Sequence, residues 1–112
     1  MLYYFFMNSE NYEIISFYKF TSINTISQLN DELIVICKKN NILGTVILSN
    51  EGINGMLAGS LKSIDKVIKF FEKLDLTRDD FKFSKSDIKP FNRLRIKKKD
   101  ELISLEIGRA HV

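Results

Sequence analysis

The chain has 112 residues, 45% of them hydrophobic, with nine Phe and four Tyr but no Trp. That suits one domain with an aromatic core and excludes a disordered segment. The formal net charge is only +3, but residues 82–99 carry eight basic side chains against one acid, Asp87, while residues 1–81 carry 8 basic and 10 acidic ones. The positive field is confined to one late segment. A single cysteine, Cys37, permits no internal disulfide and implies no oxidising compartment. No apolar run approaches membrane-spanning length. The short apolar start at residues 2–7 lacks the basic region and cleavage site of a signal peptide. A cytoplasmic protein with no membrane partner is expected.

In chain order, residues 1–11 read as an N-terminal extension. Residues 12–20 alternate aromatic and β-branched positions and predict a strand, with Ile14, Ser16, Tyr18 and Phe20 on one face and Ile15, Phe17 and Lys19 on the other. Thr25 and Gln28 fit a capping box that opens a helix over 25–39; Lys38 and Lys39 suit its C-terminal dipole, and Asn40-Asn41 ends it. Residues 42–49 predict a second strand, with Gly44 as a bulge or close-approach point. A loop containing Glu51-Gly52-Ile53-Asn54-Gly55 leads into a short third strand at 56–58. Ser60 is a candidate N-cap for a helix over 61–74, whose stripe is Leu61, Ile64, Val67, Ile68, Phe71 and Leu74. Residues 81–85 and 91–97 alternate as strands on either side of a break at Pro90, and 102–107 predict a last strand after a turn at 98–100. The order β-α-β-β-α-β predicts an α+β, ferredoxin-like (split β-α-β) antiparallel sheet with two helices on one face and an extra C-terminal β-hairpin. The domain is expected over 12–107, with 108–112 a tail.

Few residues suggest chemistry. The Gly-rich loop matches neither phosphate-binding pattern, and its spacing favours a hairpin that needs Gly for geometry. Lys89, Arg93, Arg95 and Lys97 form the best binding signal. On an alternating strand the last three fall on one face about 7 Å apart, near the spacing of phosphates on an extended nucleic acid. A solvated sheet face explains them equally. Phe91 could stack or pack. His111 is expected in the tail, and Cys37 falls on an apolar helix stripe as a buried thiol. No metal-ligand cluster or nucleophile-base set can be assembled, so no catalytic residue, metal or cofactor is expected. Glu51 and Asn54, with a neighbouring Arg, could form a polar site, or Glu51 could tie the loop by accepting backbone N–H bonds.

Glu51-Gly52-Ile53-Asn54-Gly55 followed by Ala58-Gly59, and then Lys89-Pro90-Phe91-Asn92-Arg93-Leu94-Arg95-Ile96-Lys97, resembles the N-terminal domain of the bacterial rhodanese-related tRNA uridine-34 hydroxylases. Phe17-Tyr18-Lys19-Phe20 and Gly44-Thr45-Val46-Ile47-Leu48 extend the likeness to residues 13–105. The resemblance implies an acylphosphatase-like domain joined in the family to a rhodanese-like one, oxygen-dependent hydroxylation of the wobble uridine, and an essential cysteine in the rhodanese-like half. Cys37 is not that cysteine. The chain is therefore expected to be an N-terminal or truncated form, inactive alone, with tRNA as partner and a rhodanese-like domain or chain as another. The alternatives are a small acylphosphatase-like hydrolase and a structural docking domain. Against the hydrolase, acylphosphatases place an Arg in a Gly-rich phosphate loop after their first strand, where this chain reads Thr21-Ser22-Ile23-Asn24. Glu51, Gly52, Asn54 and Gly55 are then half of a family signature whose role is open.

Overall fold

A computed structural model describes residues 11–99. The expected N-terminal extension (save Asn11), the last strand at 102–107, the tail and His111 lie outside the described residues. Period-2 alternation builds five strands: β1 (Tyr12–Phe20), β2 (Leu43–Ser49), β3 (Gly52–Gly59), β4 (Phe81–Ser86) and β5 (Leu94–Lys98). Two helices, α1 (Ile26–Lys39) and α2 (Leu61–Phe71), follow β1 and β3. The sheet order is β4-β1-β3-β2-β5. Each neighbouring pair among the first four strands is antiparallel, which is the ferredoxin-like arrangement expected, and the two β-α-β crossovers interleave. β5 adds to the far edge parallel to β2, so the sheet is mixed. The connection after β4 crosses from one edge to the other. β5 overlaps the strand predicted over 91–97, and the partner predicted for it at 102–107 lies outside the described residues.

Both helices cover one face. α1 lies over β2 and β5, α2 over β1 and β3. The face beneath them is apolar because its inward positions are Ile15 and Phe17, Val46 and Leu48, and Ile53 and Leu57, all buried. Phe17 anchors an aromatic cluster, with ring centroids 4.9 Å from Phe71 and 5.4 Å from Phe81. Such tilted and edge-on pairs contribute about 0.5–1.5 kcal/mol beyond their area. Cys37 is fully buried on α1, and burial pushes its thiol up to about 12, the structural thiol expected.

Local signals fared unevenly. Ser60 caps α2 as expected, its Oγ accepting from the Ser63 N–H at 3.1 Å, and Ser63 Oγ donates to the Asn40 carbonyl, tying the second helix to the end of the first. Asn41 ends α1 in the left-handed region, at φ 57°. The Thr25/Gln28 capping box does not form: Thr25 makes no side-chain cap bond, and Gln28 instead donates to Glu32, one turn on. The helix over 61–74 closes at Phe71 and finishes as a 3₁₀ turn over Glu72–Leu74. The third strand begins at Gly52, four residues before the predicted 56–58. The loop read around Glu51–Gly55 is therefore a two-residue turn, Asn50-Glu51, and the rest is strand.

Candidate functional site

Sheet alternation sends every second side chain to the face the helices leave open. Strand register sorts them into rows. One row runs Lys82, Ser16, Met56, Thr45, Arg95 from β4 to β5. The next runs Tyr18, Asn54, Ile47, Lys97 from β1 to β5. With strands about 4.8 Å apart, the first row spans about 19 Å between its two cations. Between them lies a shallow concavity of about 600 Å³, lined by Tyr18, Asn54, Met56, Ile47 and Lys82 among others. Tyr18 and Phe20, two residues apart on β1, pack with ring centroids 5.3 Å apart at 56°. They are 37% and 56% exposed, and Met56 is 44% exposed. Large apolar side chains this open, grouped on one face, mark an interaction surface more than an isolated exposed residue would.

The rim carries one acid. Asp80 lines the same concavity, and the Thr77 N–H and the Lys19 ammonium hold its carboxyl below the usual carboxylate range. Lys19 Nζ stands 3.0 Å from Asp80 Oδ2 and also donates to the Asp75 carbonyl. The acid's charge is thus already matched. The Thr77/Asp80 pairing, in which Thr77 N–H donates to Asp80 at 2.7 Å, is a cap that the sequence reading did not assign.

Among the predicted basic residues, Arg95 and Lys97 stand on this open face, aligned with Thr45 and Ile47. Arg93 precedes β5 and is exposed; its carbonyl accepts from the Gly44 N–H. Lys89 sits on the connection that crosses the end of the sheet, where Pro90 and Phe91 share a pocket of about 390 Å³ with Tyr12, Leu43 and Ala58. Phe91 is only partly exposed there, in an apolar corner.

The signature residues Glu51, Gly52, Asn54 and Gly55 do not gather into one site. Glu51 is exposed at the hairpin turn, held through its backbone: its N–H donates to Ser49 Oγ and its carbonyl accepts from the Thr21 N–H at 2.9 Å. The loop is tied by this main-chain bonding. Gly52 closes the turn opposite Ser49. Asn54 faces outward between Tyr18 and Ile47, separate from Glu51. Gly55 points the other way, into the core, where an added Cβ would stand 2.7 Å from the Thr45 carbonyl oxygen and 2.9 Å from Phe17 Cζ. Its role is close packing under the Phe17 ring. Gly44 is likewise a close approach and not a bulge, since it pairs in register with Leu57.

The residues that sequence reasoning missed are Tyr18, Phe20, Ile47, Met56 and Lys82. The alternation of β1 already grouped Tyr18 with Phe20, but only strand order says which face is left uncovered. Among the described residues no group of three or more His, Cys, Asp or Glu could hold a metal ion, and no helix is long and apolar enough to cross a membrane.

Comparison with known proteins fits this architecture. Two solved structures share the fold at low identity. The BLUF domain of BlrP1 matches with a TM-score of 0.55 at 15% identity, over 88% of this chain and 74% of that one. Full-length HypF, solved in its phosphate- and nucleotide-bound form, matches with a TM-score of 0.50 at 17% identity, over 80% of this chain and 12% of that one. These likenesses concern the fold alone. In sequence, the tRNA uridine(34) hydroxylase of Rickettsia bellii (strain OSU 85-389) is 33% identical over 105 residues, covering 93% of this chain and 42% of the relative. That of Acholeplasma laidlawii (strain PG-8A) is 30% identical over 99 residues, covering 88% of this chain and 31% of the relative. The chain thus spans well under half the length of these relatives. A family model described as the UPF0176 acylphosphatase-like domain matches residues 12–102, and the chain belongs to that family.

Proposed function

We propose that this chain serves as the tRNA-contacting N-terminal part of a tRNA uridine(34) hydroxylase, contributing binding and not catalysis. The observation that carries the reading is the position of Arg95 and Lys97 on the uncovered face of the sheet, beside exposed aromatic side chains, in a chain related to tRNA uridine(34) hydroxylases. Cations spaced along a strand meet successive phosphates, and each phosphate neutralised releases counterions. Lys89 and Arg93 would extend the same track. Hydroxylation itself would belong to protein beyond this domain, and the rhodanese-like half is the natural place for it.

The hydrolase alternative has less support. A phosphate cradle after β1 would need free backbone N–H groups there. Thr21 and Ile23 donate theirs to the carbonyls of Glu51 and Asn50, at 2.9 and 3.1 Å. The connection also lacks an Arg.

The test is binding of unmodified tRNA to the purified chain across a salt series. Affinity is expected to fall linearly on a log–log plot, with a slope of about −0.7 to −0.9 per phosphate contacted. The triple variant Arg93→Glu, Arg95→Glu, Lys97→Glu should abolish that binding. Salt-insensitive binding, or a triple variant that binds as well as the parent, would overturn the proposal.

A further inference from the structure

Resting on that reading, we infer that the open face of the sheet is a stacking platform for unpaired nucleotides of RNA, with Tyr18 and Phe20 as the aromatic wall and Asn54 meeting a base edge. The central strand β3 carries Asn54, its neighbour β1 carries Tyr18 and Phe20 just beyond the end of its pairing with β4, and the outer strands of the described sheet, β4 and β5, carry the cations. Exposed aromatic side chains on one sheet face, with cations on the strands to either side, are the layout that single-stranded nucleic acid needs: π-faces for bases, cations for the backbone. A duplex cannot use it, because its bases are already stacked and its grooves present edges and not faces.

The geometry suits one nucleotide well. Asn54 is the direct neighbour of Tyr18, about 5 Å away across the strand pair. Lys97 lies two strands further, about 10 Å from Asn54. A base laid against the Tyr18 ring therefore puts its edge near the Asn54 amide, which offers both a donor and an acceptor. Its phosphate then falls toward Lys97 and Arg95. The concavity of about 600 Å³ at this point has room for a nucleotide. The charge pattern separates an RNA from a second protein surface. Among the described residues, the one acid lining the concavity, Asp80, is already paired with Lys19, while Lys82 at the concavity and Arg95 and Lys97 beyond it on β5 make no ion pair and can meet an anion. An apolar protein partner would leave those three cations stranded at its rim.

Binding of a fluorescein-labelled octa-uridine and of a labelled eight-base-pair RNA hairpin with a capped stem, measured on the full chain by anisotropy, tests the inference. The single strand should bind more tightly than the stem. Tyr18→Ala and Phe20→Ala should each weaken octa-uridine binding by about 5- to 150-fold, the range for losing one stacked base. Tyr18→Phe should restore it, because the ring and not the hydroxyl stacks. Asn54→Ala should weaken octa-uridine binding less than either aromatic variant, because a base edge exposed to water can bond to solvent instead. On the unmutated chain, a 5-iodouridine probe should photocrosslink to Tyr18 or Phe20, a readout that no folding defect can imitate. If tRNA binds with the expected salt dependence but the aromatic variants and the crosslink show nothing, the platform is wrong and the electrostatic reading survives. If neither RNA binds, both fall. If Tyr18→Ala and Phe20→Ala instead convert a self-associating chain to a monomer in sedimentation without changing RNA affinity, the face is a protein interface and the inference is overturned.

Discussion

The two faces of this sheet are made from the same five strands, yet they solve opposite problems. The covered face carries Ile15, Phe17, Val46, Leu48, Ile53 and Leu57, and every one of them is buried under a helix. The open face carries Ser16, Tyr18, Phe20, Thr45, Asn54 and Met56, with Arg95 and Lys97 at one edge. A sheet whose second face merely met water would be polar throughout. This one keeps large apolar side chains in the centre and cations at the rim. The difference locates the core on one side and, on the proposed function, recognition on the other, and substitutions should separate the two.

The largest effect should come from the covered face. Phe71 is fully buried and packs on Phe17 and Phe81. Phe71→Ala should cost about 3–5 kcal/mol, read as a shift of the urea midpoint, because a cavity is left where the three rings met. An effect below about 1 kcal/mol would mean that the cluster is not the keystone of the core.

Next is the close approach between the strands themselves. Gly44 has φ 134°, a conformation L side chains rarely adopt, and a Cβ there would sit 2.1 Å from the Met56 carbonyl oxygen. Gly44→Ala should destabilise by at least about 1–3 kcal/mol, since strand backbone must move to admit one methyl group. Met56 lies on the open face, so this variant should also disturb that surface, whereas Phe71→Ala should not. Stability by urea denaturation and RNA affinity below the unfolding range would distinguish the two.

These two positions also show what was legible in the sequence. The aromatic and β-branched alternation of β1 and the 3.6-residue stripe of α2 are local patterns, and they gave the element order and the fold class. Gly44 was legible as either a bulge or a close-approach point, since an isolated Gly in a strand has few other reasons to be there, and the register with Leu57 decides for the close approach. The capping box at Thr25 was not decided locally, for Gln28 had a competing partner in Glu32 one turn along. The extent of β3 was hidden because Gly52, Asn54 and Gly55 all favour turns, and only pairing with β1 and β2 overrides that preference. The edge position of β5, parallel to β2, depends on a crossing connection that no periodicity reports. For the candidate site, Arg95 and Lys97 were legible from charge alternation. Tyr18, Phe20 and Lys82 were not, since alternation groups side chains by face without saying which face the helices choose.

A smaller effect tests the covered face through pH. Burial raises the Cys37 thiol from its ordinary value of 9.0 to about 12. Between those values the unfolded chain has lost a proton that the folded chain retains, so stability falls as pH rises through that window. The slope should approach about 1.4 kcal/mol per pH unit above 9 and be absent below it. Cys37→Ala should flatten the wild-type stability curve above pH 9. A thiol reagent should label the native chain no faster than it unfolds. Rapid native labelling would mean that α1 opens at this position.

The smallest stability effect should come from the open face, and it is the most discriminating. Arg95 and Lys97 are exposed on an edge strand, and neither makes an ion pair among the described residues. Reversing both to Glu should therefore change folding stability by no more than about 0.5 kcal/mol each. The same double variant should lower the slope of tRNA affinity against salt by about one unit per residue, because each lysine or arginine on a phosphate accounts for nearly one released counterion. A large loss of stability would show instead that the cations support the sheet edge, and the separation of the two faces would fail. An unchanged chain with a shallower salt slope would assign the two faces their separate tasks, since no side chain that holds the core together would have been touched.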